Sequence, residues 1–306
     1  MTTTPDRTDV HARVTARILA DLEQGVRPWM RPWSAGHAAG RIARPLRATG
    51  QPYRGINTLM LWMTAVERGY TSPYWFTYRQ AQAAGGQVRR GEHGALVVYA
   101  GTVTRPDTDA DGAEEEREIH FLKGYTVFNA GQVDGLPEPF HAPASEPADA
   151  MRRLAAADRF FAATGAEIRT GGARAFYAIG SDHIQMPPFE TFRDAESHAA
   201  TLAHELVHWT RHPSRLDRDL GRKRWGDEGY AVEELVAEIG SAFLCADLGI
   251  TPEVRADHAA YIAAWLTVLK DDARVIIRAA ARAVDYLHAL QPHAEAAAAP
   301  ASCRLA

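Results

Sequence analysis

Cysteine is scarce. Only Cys245 and Cys303 occur in 306 residues, too few for a disulfide scaffold or a four-cysteine zinc site. No apolar run reaches about 18 residues, which excludes an ordinary membrane-spanning helix. The opening MTTTPDRTDVHARV is polar and lacks an apolar signal core, so a cytoplasmic protein is expected. Three nucleotide and nucleic-acid signatures are also missing: a GxxxxGK[ST] phosphate loop, C2H2 finger spacing, and the His/Cys/Cys set of base deaminases. Acidic residues are absent between Glu23 and Glu67.

The chain does have apolar content, 46% of residues against 24% charged, enough to build a core. At roughly 100–200 residues per domain, about two domains are expected. The net charge of -4 hides a split. Residues 1–104 carry 13 Lys+Arg against 6 Asp+Glu, and residues 105–306 carry 21 against 32. A whole-chain pI of about 6.4 therefore says little about the basic first third.

Apolar periodicity predicts a helix over 9–25, ended by Gly25 and Pro28, and further helices near 55–68 and 78–84. ALVVYAGTVT (95–104) and IHFLKGYTVFNAGQV (119–133) read as strands of a hairpin, with the acidic stretch 105–118 as its loop. Four prolines in 136–149 mark a linker. The second half predicts helices near 149–165, from 195, over 230–248, 253–270 and 272–291, with a short strand at AFYAIG. The reading is an α+β chain. Residues 1–135 form a small α+β domain, 136–149 a linker, and 150–306 a mainly helical domain with a small sheet.

His204-Glu205-Leu206-Val207-His208 lies in one of these helices. Residues four apart share a helix face, so both imidazoles can hold one ion. Two histidines leave room for a third protein ligand and a water. Glu205 sits beside that water and could shuttle its proton to a leaving amine. Downstream, Glu233, Glu234 and Glu238 interrupt an otherwise apolar helix, where glutamate is rare unless paired or coordinated. Glu234 and Glu238 share a face. An antiparallel return would present Glu234 to the ion and let Glu238 accept a spare ring proton from a histidine. Glu233 is the alternative ligand, and surface pairing of all three with Arg222, Lys223 and Arg224 is the structural alternative. His212 caps the helix or supports the site from behind. His212, Tyr230 and Arg211 are open choices for oxyanion stabilisation.

In the first third, Arg27, Arg31, Arg41, Arg44, Arg47 and Arg54 interleave with Trp29, Trp33 and Tyr53. Arginines neutralise phosphates and aromatic rings stack on unpaired bases. The pattern suits single-stranded nucleic acid, with Arg89 and Arg90 extending the surface. The tryptophans could equally be core anchors.

Several motifs then carry a resemblance. They are Gly25-Val26-Arg27-Pro28-Trp29, Tyr53-Arg54-Gly55-Ile56-Asn57, Ser72-Pro73-Tyr74-Trp75 and Gly85-Gly86-Gln87-Val88-Arg89-Arg90-Gly91-Glu92, followed by Ala203-His204-Glu205-Leu206-Val207-His208-Trp209-Thr210 and Glu233-Glu234-Leu235-Val236-Ala237-Glu238. In this order they resemble antirestriction proteins of the ArdC type, borne by conjugative plasmids and related bacterial elements. The resemblance implies an N-terminal domain that binds single-stranded DNA and a C-terminal zincin-like metallopeptidase domain. It implies His204, His208 and Glu234 as ligands, Glu205 as general base, and zinc as the ion with manganese as the alternative. It further implies protection of incoming DNA from host restriction, with a host protein as the substrate of proteolysis. Arg211 departs from the family pattern, which has glycine there. Two other readings stand beside this one: a non-proteolytic DNA protector with a structural ion, and a metallopeptidase whose basic domain recruits protein.

Overall fold

The structure, a computed structural model, describes residues 10–30, 43–108, 114–142, 150–220, 228–251 and 258–283. Its helices are α1 (Val10–Glu23), α2 (Ile56–Arg68), α3 (Tyr78–Ala83), α4 (Ala150–Ala163), α5 (Ala195–Trp209), α6 (Glu228–Leu248), α7 (His258–Asp271) and α8 (residues 275–283). The strands are β1 (Leu46–Arg47), β2 (Tyr74–Phe76), β3 (Gln87–Val88), β4 (Ala95–Thr108), β5 (Glu114–Asn129), β6 (Val133–Asp134), β7 (Glu167–Thr170), β8 (Phe176–Ala178) and β9 (His183–Met186). The expected α+β class is observed.

The first half is built on a sheet of order β1-β2-β5-β4, and the antiparallel β4–β5 hairpin dominates it. The acidic stretch 105–118, expected to be loop, is largely strand. Ladder pairing continues from Arg105↔Arg117 to Thr108↔Glu114. Backbone pairing does not depend on apolar side chains, so a polar hairpin end stays extended. Gly101 opposes Phe121, and a Cβ there would fall 2.7 Å from that ring. The second half adds a small sheet of order β7-β9-β8, with β7 and β9 parallel. Glu167–Thr170 has no apolar alternation, and its strand was not anticipated.

Periodicity explains the helices, and their ends follow local chemistry. Gly25 takes φ +73° just past α1, and Gly249 takes φ +67° just past α6, a conformation glycine adopts without a Cβ penalty. Asp194 caps α5, its carboxylate accepting from the Ser197 backbone N–H at 2.7 Å.

The two halves share one core. Val14, Ile18, Leu22 and Trp29 belong to the same buried cluster as Phe243, Trp265, Leu269 and Ile276. The Trp29 ring meets Trp265 edge-on at 5.4 Å. Arg44 forms a two-pronged ion pair with Asp247 at 2.9 and 3.0 Å and lies over Phe243. Replacing a fully buried Trp with Ala typically costs about 3–5 kcal/mol, so this seam is integral to the fold. The segment 136–149 separates the halves in sequence without separating their cores; residues 143–149 lie outside the described residues.

Candidate metal centre

Helices α5 and α6 pack together so that His204 faces Glu238 while His208, one turn on, faces Glu233. The two helices therefore run antiparallel, and their facing turns bring three potential ligands together. The Nε2 atoms of His204 and His208 are 3.2 Å apart. Each lies 3.6 Å from a carboxylate oxygen of Glu234. Zinc–nitrogen and zinc–oxygen bonds near 2.0–2.2 Å place tetrahedral ligand atoms roughly 3.4 Å apart. These spacings are those of three corners around one small cation. His204, His208 and Glu234 are also the one described group of His, Cys, Asp and Glu residues whose ligand atoms converge this closely.

The opposite edge of each imidazole is held by a carboxylate backed by arginine. His208 Nδ1 lies 3.1 Å from Glu233 Oε1, and Arg218 grips Glu233 with hydrogen bonds of 2.7 and 2.9 Å. Arg218 also donates to the Val207 carbonyl and the Thr210 hydroxyl, tying it to the end of α5. His204 Nδ1 lies 3.6 Å from Glu238 Oε1. Glu238 Oε2 accepts from Arg27 Nη1 and Trp29 Nε1, both at 3.1 Å. A carboxylate at Nδ1 favours the Nδ1–H tautomer, leaving the Nε2 lone pair for a metal. Two such lone pairs 3.2 Å apart repel unless a cation or a ring proton lies between them.

The electrostatics point the same way. Burial lowers the His208 pKa, but Glu234 and Glu233 outweigh it and raise it to about 10. Burial raises Glu233, yet Arg218 and His208 bring it down to about 2. Glu234 is likewise lowered by His208 and His204 against its burial. Glu205, Glu233, Glu234 and Glu238 are all buried, against the buried guanidiniums Arg27 and Arg218. Once a metal displaces the ring proton and both imidazoles are neutral, the formal charge is two negative, which one divalent cation cancels. Uncompensated buried charge is expensive, so the pocket fits such an ion.

Glu205 is buried on α5 next to His204. Tyr230 is buried at the start of α6, and its hydroxyl pairs with Tyr261 at 2.8 Å. Burial, then Glu234, push the Tyr230 pKa up. His212, expected to cap α5 or support the site, instead pairs through Nδ1 with Ser214 at 2.7 Å. It follows the last turn of α5, with no described contact to the ligands. Glu233 supports His208, a role the sequence reading did not assign. Arg222, Lys223 and Arg224 lie outside the described residues.

The nucleic-acid set needs a larger correction. Arg27, Trp29, Arg44 and Tyr53 are buried in the core, because their partners Glu238, Trp265, Asp247 and the β4–β5 sheet cover them. Arg47 is exposed, with its guanidinium 5.3 Å from the Tyr53 ring centre. Arg54, Arg89 and Arg90 are exposed as well, with Arg89 paired to Glu92 and Asp134. Arg31, Arg41 and Trp33 lie outside the described residues. A groove of about 1360 Å³ between α1, α2 and the hairpin is lined by Arg13, Arg17, Arg68 and Lys123, with Phe121 and Tyr125. The sequence reading missed it, since its residues are scattered over more than 100 positions.

A family described as the N-terminal domain of anti-restriction factor ArdC matches residues 8–128, and one described as a zincin-like metallopeptidase matches residues 155–282. The Sinorhizobium fredii protein y4eC is 45% identical over 255 residues, spanning 81% of either chain. An Escherichia coli DNA primase TraC is 43% identical over 252 residues, 77% of this chain but 22% of the primase. The metal-free crystal structure of the antirestriction ArdC protein from plasmid R388 is 49% identical, with TM-score 0.79 over 94% of this chain and 98% of that one. Its Mn(II)-bound form is 48% identical with TM-score 0.77 and the same coverage.

Proposed function

The chain belongs to the ArdC antirestriction family, and from that premise we propose that it binds incoming single-stranded DNA and hydrolyses peptide bonds at a divalent-metal centre. In this reading 1–135 serves DNA, 136–149 links, and 150–306 carries the metal. The observation that carries it is the convergence of His204, His208 and Glu234 on one point, with Glu205 alongside on α5.

The ion supplies Lewis acidity toward water and a carbonyl. Zinc suits the imidazole and carboxylate donors, and manganese is the alternative; the R388 relative has been crystallised with Mn(II). Glu205 takes the proton of the attacking water and returns it to the departing amine. Among the oxyanion candidates Tyr230 is the one tied electrostatically to a ligand, Glu234. A purely structural ion is favoured by the burial of all three ligands. Three protein ligands, where structural zinc sites have four, favour catalysis.

For DNA, the exposed Arg47, Arg54, Arg89 and Arg90 and the α1–hairpin groove offer cations beside aromatic faces. Single-stranded DNA should bind more tightly than duplex. Each phosphate contact removed by substituting Arg13, Arg17, Arg68 or Lys123 should lower the slope of log K against log salt by about 0.7. No binding near physiological salt would leave the protein-recruiting reading in its place. For proteolysis, host-cell proteins are compared after exposure to wild type and to Glu205→Gln, which keeps the ion. Substrates cut by the first alone support the peptidase, and identical profiles support the structural ion.

A further inference from the structure

Glu238 is held from across the molecule. Its Oε2 accepts two hydrogen bonds, from Arg27 Nη1 and Trp29 Nε1, and both donors come from the turn that follows α1. More than 200 residues of sequence separate donors and acceptor. With Oε2 fixed, Oε1 is turned toward His204 Nδ1. All four side chains are buried, so water does not compete for these contacts. The Trp29 ring is in turn set by its edge-on contact with Trp265, whose indole N–H bonds the Ala231 carbonyl of α6.

We infer that Arg27 and Trp29 are positioning residues of the metal centre, which the N-terminal half thereby completes. This rests on the metal reading above. The residues lie outside the helix pair that carries the ligands, yet they decide where Glu238 directs its second oxygen. His208 has the same arrangement built locally, from Glu233 and Arg218. His204 borrows its arginine from the other half of the chain.

Simple electrostatics predicts the opposite sign for one substitution, which makes the idea testable. Arg27 is a cation near the pocket. If it acted only through charge, removing it would tighten binding of a metal ion. If it positions Glu238, removing it weakens binding, because carboxylates behind ligating histidines are worth about 10–100-fold in metal affinity.

The test uses the full chain, stripped with chelator and titrated with zinc against a chromophoric competitor, and with cobalt to read ligand geometry from its visible spectrum. Trp29→Phe keeps an aromatic ring beside Trp265 and removes the N–H together with the five-membered ring that carries it. Arg27→Met removes both charge and donor, and Arg27→Lys keeps the charge. Arg44→Met is the control: it breaks the Arg44–Asp247 pair, which joins the same two halves but touches no ligand. Arg27→Met and Trp29→Phe should each weaken zinc binding about tenfold and alter the cobalt spectrum. Arg27→Lys should recover part of the loss, and Arg44→Met should stay within about twofold of wild type despite lower thermal stability. In a Glu238→Gln background neither substitution should weaken binding further. Wild-type affinity in Trp29→Phe and Arg27→Met, tighter binding in Arg27→Met, or an equal loss in Arg44→Met would overturn the proposal. A wild type that binds no ion would instead bring down the metal reading itself.

Discussion

Arg218 shows how much depends on one side chain. It neutralises buried Glu233, which in turn orients His208. Removing one member of a buried ion pair strands the other and typically costs about 3–5 kcal/mol. Arg218→Met should lose stability of that order in denaturant unfolding and bind zinc at least tenfold more weakly. A change below 1 kcal/mol with normal metal affinity would show that the pair is dispensable. The converging group of His204, His208 and Glu234 was legible in the sequence, because spacing on a helix fixes which residues share a face. His204 and His208 met that condition, as did Glu234 and Glu238. Glu233 reads from the sequence only as the alternative ligand, because its contact with His208 depends on how α5 crosses α6 and on Arg218 arriving from the intervening loop. Arg27 and Trp29 misled for a related reason. Arginine beside tryptophan in a glycine- and proline-rich stretch suits a strand of DNA and a buried anchor equally, and the deciding partner, Glu238, is 211 positions from Arg27.

Among the elements, α5 bears the histidines and its start is fixed by Asp194. The carboxylate accepts from the Ser197 N–H and hydroxyl, each at 2.7 Å. Those bonds, with Arg193, hold its pKa down to about 2. A depressed carboxylate stabilises the folded state above its unfolded pKa of 3.8, and that contribution disappears as pH falls toward 2. Asp194→Ala should therefore cost about 1 kcal/mol at pH 7, and the gap to wild type should narrow between pH 5 and pH 2. A pH-independent gap would remove the cap from the account. The main helices were legible from apolar periodicity and capping chemistry. The hairpin was legible as a pairing but not in its length, since Arg105 to Thr108 pair through backbone groups that carry no side-chain signature. β7 was missed because its partner β9 supplies the apolar residues.

The whole molecule is two halves fused through a common core, with the excess of positive charge confined to residues 1–104. The expected division at 136–149 followed composition, which registers a proline-rich connection but not the packing of Val14, Ile18 and Trp29 against α6–α8. No described helix is long and apolar enough to cross a membrane. Because Glu238 links the halves, an ion at the histidines should slow amide exchange at residues 21–30 as well as in α5 and α6. Protection confined to the second half would mean that the halves are energetically separate. The central claim is the ligand set, and metal stoichiometry with affinity tests it most directly. Wild type should bind one zinc ion per chain. His204→Ala, His208→Ala and Glu234→Ala should each abolish tight binding, while Glu233→Gln should only weaken it. Retention of tight binding by Glu234→Ala, with loss in Glu233→Gln, would contradict the assignment and make Glu233 the third ligand.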